Sequence, residues 1–151
     1  GAFCHDSSSV GGTRQTSSLI INSKKEIIKM LVYAIISISL ALLFYTVGVW
    51  SEKLQGTLKI WHLCLFWIGF VFDTLGTTLM GRLANDVLKL NFHSITGVTA
   101  IVLMLIHAVW ATIVLKNNNE KQKNSFHKFS ILVWILWLIP FVSGMVFGMT
   151  R

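Results

Sequence analysis

The sequence predicts an all-α integral membrane protein, a four-helix up-down-up-down bundle, on three observations. Four apolar stretches, at about residues 30–50, 60–80, 93–115 and 127–149, each approach the ~20 residues an α-helix needs to cross the hydrocarbon of a bilayer. The gaps between them, SEKLQGTLK, GRLANDVLKLN and KNNNEKQKNS, are short and polar, so sequence neighbours run antiparallel. Of 151 residues, 54% are hydrophobic and 13% are charged, which is far more apolar than a soluble domain. A buried soluble bundle would need polar helix faces that these segments lack. One proline and no Gly/Ser linker leave one compact unit.

The segment 1–29 stands apart from this design. It has no apolar core followed by a small-residue cleavage site, so it does not read as a signal peptide. In KKEIIKM, Lys-Lys-Glu can be encoded by AAAAAGGAG, a ribosome-binding sequence just upstream of an ATG for Met30. Translation is therefore expected to begin at Met30, with 1–29 a non-native or disordered leader. Lys53, Lys59, Lys116, Lys121, Lys123 and Lys128 then fall on one side of the membrane, against Arg82, Lys89 and Arg151 on the other. The positive-inside rule puts the first and third connections in the cytoplasm and both termini outside a bacterial cytoplasmic membrane. If the leader is retained, Arg14, Lys24, Lys25 and Lys29 cancel that bias. The formal charge of +7 is thus read as topology, and nucleic acid is excluded as a partner. Cys4 and Cys64 lie in unlike settings, and no structural disulfide is expected. Trp50, Trp61, Phe92 and Phe126 end spans, where aromatic rings favour the interface. Val87, Leu88 and Leu90, interrupted by Lys89, suggest a short surface turn.

The polar residues inside the spans carry the functional question. His93 and His107 are fourteen apart, within about 40° on one helix face and about 21 Å apart along it. Gly97, Ala100, Met104 and Ala111 share that face, and small residues there admit a flat group or a close helix. In the second span His62 and Asp73 point within about 20° of each other, with Phe66, Gly69, Gly76 and Met80 on the stripe. The fourth span offers His127, Ser130, Trp134, Phe141 and Gly144. The first offers Tyr33, Ser37, Ala41, Phe44 and Gly48. Ionisable groups avoid lipid, so these four faces should turn inward. Antiparallel packing puts His107 level with Phe66, His62 nearer the cytoplasm, His127 at the cytoplasmic rim, Asp73 near mid-membrane and Met80 near His93.

Neutral imidazoles can ligate haem iron axially, and a Met80 or Met104 thioether is an alternative ligand. The spacing favours one haem b with His62 and His107 as the pair. His93 and His127 are further candidates, although histidines at span ends are often only interfacial. Asp73 reads as a partner to a ligand or as a proton-handling group. The same residues also allow a proton relay or an ion site. Zinc lacks any HxxxH or CxxC support. Trp134 and Trp137 read as packing, Pro140 as a helix kink and Thr77 and Thr78 as returning bonds to their own helix.

The stretches HLCLFWIGFVFDTLGTTLM, FHSITGVTAIVLMLIHAVWA and FHKFSILVWILWLIPFVSG resemble the HsmA family of small four-span bacterial membrane proteins. The resemblance covers Met30 to Arg151. It implies haem binding in the membrane that limits haem toxicity, under a haem-responsive repressor, and it brings no ligand assignment. The expected function is therefore haem sequestration rather than enzymatic turnover, with the lipid bilayer and haem as partners and a homo-oligomer left open. A b-type electron-transfer protein and a proton- or ion-coupled transporter working through Asp73 and the histidines are the alternatives. No nucleophile–base pair or metalloprotease motif points to a hydrolase.

Overall fold

The computed structural model describes residues 8–83 and 92–149, with side chains over 12–83, 95–146 and 149. Four helices follow in order: α1 Ser8–Gln55, α2 Ile60–Leu83, α3 Phe92–Asn117 and α4 Glu120–Met149. Each is long and apolar enough to cross a membrane, and no strand occurs among the described residues. α1 packs on α2, α2 on α3 and α3 on α4, while α4 closes the ring on α1. This is the expected all-α membrane bundle. Its outer surface is Leu, Ile and Val: Ile35, Leu43, Val71, Val102, Ile106 and Leu132 are all exposed. An apolar surface this extensive is suited to contact with lipid.

The turns at one end have local causes. Gly56 adopts φ 67° and its N–H bonds to Glu52 O at 3.1 Å, which ends α1 with a left-handed cap that glycine permits. Asn118, at φ 49°, ends α3 in the same way, with its N–H on Val114 O. Asn119 Oδ1 then accepts the Lys121 N–H at 3.0 Å and starts α4.

Inside, the buried stripe of α2 is His62, Phe66, Gly69, Asp73 and Gly76, as the spacing predicts. Glycine at two of these places lets α1 come close. A Cβ at Gly69 would lie 2.7 Å from the Tyr45 ring, and one at Gly76 would lie 2.5 Å from Ile38 and 3.2 Å from the Ala34 carbonyl. The apolar core falls into two clusters along the axis. One gathers Ala41, Tyr45, Ala100, Met104, Val133 and Trp137. The other gathers Val49, Leu58, Phe66, Ala111, Val114 and Phe126.

Several expectations need correction. Of the two alternatives for the segment before Met30, disorder does not hold: the chain is helical from Ser8 and continuous with α1, with residues 12–29 exposed. Tyr33 is 64% exposed, so the inward stripe of α1 is instead Ala34, Ser37, Ala41, Tyr45, Val49 and Glu52. Phe126 is fully buried rather than interfacial. Its ring packs into the bundle beside His107 and Phe66, and α4 begins at Glu120 rather than near His127. Trp50 and Trp61 are exposed near the helix ends. The turn at Val87, Leu88, Lys89 and Leu90 lies outside the described residues, as does the side chain of Phe92.

Candidate functional site: a buried histidine and a buried carboxylate

His107 is 1% exposed, in the middle of α3, among rings. Phe126 stacks on it at 5.2 Å and 6°, and Phe66 approaches at 4.5 Å, the predicted level match between α2 and α3. Its Nε2 lies 3.0 Å from Ser130 Oγ on α4. Its Nδ1 is buried with no hydrogen-bond partner. With Nε2–H donating to Ser130, Nδ1 presents an unengaged lone pair in an apolar setting, the state in which imidazole binds iron.

His62 is equally buried but differently engaged. Its Nδ1 accepts the Lys59 N–H at 3.0 Å. Three residues separate the two, so this is the back-reaching half of a capping box, in which a side chain at the third helical position satisfies the first orphan donor of α2. In the neutral ring the proton then sits on Nε2, which has no partner. The side chain of Phe66, one turn further along α2, packs against His107. The expected axial pair of His62 and His107 is therefore not preformed, because one ring is committed to a helix cap and carries its proton on the free nitrogen. A single-imidazole attachment through His107 fits the donor chemistry.

Toward the end that carries the α1–α2 turn, Glu52 on α1 is fully buried. It lies beside Ser130 and in contact with His127 Nδ1. His127 Nε2 reaches Gly56 O at 3.3 Å. A polar chain thus runs from His107 through Ser130, Glu52 and His127 to the rim. The sequence began the fourth span at His127, whereas α4 begins at Glu120; the contacts described for its ring are to Glu52 and to the Gly56 turn. Glu52 escaped the sequence reading because the first span was ended at Trp50. Extending the stripe Ser37, Ala41, Gly48 by one more turn lands on it.

Asp73 is 4% exposed and lies in the other half of the bundle. Its Oδ2 accepts the Trp137 Nε1–H at 2.8 Å and lies 3.5 Å from the Tyr45 hydroxyl, which donates to it. Trp137, read as packing, is therefore also the principal donor to Asp73. Tyr45, one residue from the Phe44 of the predicted stripe, was missed. Met104 is buried in the cluster with Tyr45 and Trp137. Met80 lines a cavity next to Asp73, so neither thioether is brought to His107 by any contact described. The His93 side chain lies outside the described residues. No group of three or more His, Cys, Asp or Glu side chains is arranged to hold a metal ion among the described residues. A haem with one protein ligand does not require such a group.

Comparison with protein-family models, with curated proteins and with solved structures gave no match to this chain.

Proposed function

We propose that this multi-pass membrane protein binds haem within its bundle through His107 and holds it out of reach of soluble oxidants. The reading is carried by one observation: an imidazole nitrogen, Nδ1 of His107, is buried without a partner in an apolar, aromatic-lined part of a membrane bundle. Leaving such a nitrogen unpaired has a desolvation cost, which a ligand would remove. Ser130 orients the ring through Nε2, and in the tautomer that donates Nε2–H to it the proton is kept off the ligating nitrogen. The rings of Phe126 and Phe66 keep the surroundings of this imidazole apolar and dry. Bound haem supplies a redox-active iron that reacts with peroxide, and burial limits that reaction. The resemblance in the three quoted stretches points the same way.

The test is an absorption titration of the detergent-purified protein with haemin. A saturable Soret band is expected for the wild type, and its loss for His107→Ala. Ser130→Ala should retain the band with affinity lower by about tenfold or more, the usual effect of removing a group that orients a ligand. A wild-type protein that takes up no haemin, or a His107→Ala variant that binds as well, would overturn the reading.

A further inference from the structure

Away from His107, the bundle contains a cavity of about 90 Å³ lined by Asp73, Thr77, Met80, Gly97, Trp137 and Phe141, among others. Two neutral donors, Trp137 Nε1–H and the Tyr45 hydroxyl, meet the Asp73 carboxylate. They polarise a charge without cancelling it, and no ion pair to Asp73 is formed among the described residues. Asp73 is 4% exposed, has only neutral donors as partners and lines a half-open cavity, a place where a cation would supply the missing counter-charge.

The lining decides which cation. A hard metal ion takes six or more oxygens. Here the carboxylate and one hydroxyl are joined by a thioether and aromatic rings. That set suits an organic ammonium, which needs one anion and an aromatic wall. That volume is several times the ~10–15 Å³ one water needs, room for a cation of a few heavy atoms, from methylammonium to trimethylammonium. Asp73 lies ten residues before the end of α2, about 15 Å along the axis, too deep for a lipid headgroup. We infer that this cavity binds a small free organic ammonium ion, held by Asp73 against Trp137 and Phe141. The site goes beyond haem binding and shares no described contact with His107.

Gly97 provides a fold-sparing test. Gly97 lines the cavity and a Cβ built there meets nothing within 4 Å, so a larger side chain at this lining position finds open space rather than backbone. Saturation-transfer NMR of trimethylammonium with the full chain in detergent should show saturable binding to the wild type. Asp73→Asn should weaken it at least tenfold, and Gly97→Leu should abolish it, with circular dichroism and gel-filtration profiles unchanged for both. Added phosphatidylethanolamine should not compete. Absence of saturable binding to the wild type, or wild-type binding by both variants, overturns the proposal. Displacement by the phospholipid overturns the assignment to a free amine. Haemin titration of the same variants reads the His107 site separately.

Discussion

At the residue scale, the two buried histidines look alike in sequence and differ in the bundle. Both share a buried stripe with small and aromatic residues, and spacing alone made them a pair. The separation comes from a bond to backbone: Lys59 N–H on His62 Nδ1 makes that ring part of a helix start. Side-chain-to-backbone bonds of this kind depend on where the helix begins, which an apolar pattern locates only to within a few residues. A prediction follows from the cap. His62→Gln keeps an acceptor able to reach Lys59 N–H, so both folding and haemin binding should persist. His62→Ala should cost about 0.5–2 kcal/mol, a typical loss for a removed cap. Thermal unfolding in detergent and a haemin titration check both variants, and loss of the Soret band in His62→Gln would restore the two-histidine clamp.

At the element scale, the inward faces of α2 and α3 were legible because their polar and small residues repeat at helical spacing over several turns. Phe66, Gly69, Asp73 and Gly76 fall on one α2 stripe, and Ala100, Met104, His107 and Ala111 on one α3 stripe. α1 was harder to read. Its apolar residues run all round the helix, so Tyr33 and Phe44 competed with Ala34 and Tyr45 for the same face. Only packing against glycine decides between them: Tyr45 lies where Gly69 leaves room for a ring. The α1–α2 contact should therefore be intolerant of bulk on the glycine side. Gly76→Val puts a Cβ into Ile38 and close to the Ala34 carbonyl. A loss of about 1–3 kcal/mol, the usual range for overpacking, is expected in detergent unfolding. Gly81→Val, whose Cβ meets nothing within 4 Å, is the matched control and should change little.

At the scale of the whole molecule, the bundle has two unlike ends. One carries the turns at Gly56 and Asn118, with Lys53, Lys59, Lys116, Lys121, Lys123 and Lys128 on or near them. The other carries Arg82 at the end of α2. The basic excess favours the lysine-rich end for the cytoplasm. The α1 extension works against this, because its Arg14, Lys24, Lys25 and Lys29 continue the helix beyond the opposite end. Charge counting alone balances these two groups. The polar chain from His107 through Ser130, Glu52 and His127 opens on the lysine-rich end, so orientation also decides which compartment that chain faces. Single cysteines resolve it in a Cys64→Ser background that also lacks Cys4. Ser125→Cys, exposed near the start of α4, should react with a membrane-impermeant maleimide only after cells are permeabilised. Gly81→Cys, exposed near the end of α2, should react in intact cells. The opposite pattern would put the His127 rim outside, and the N-terminal lysines of α1 would then be the charges that set topology.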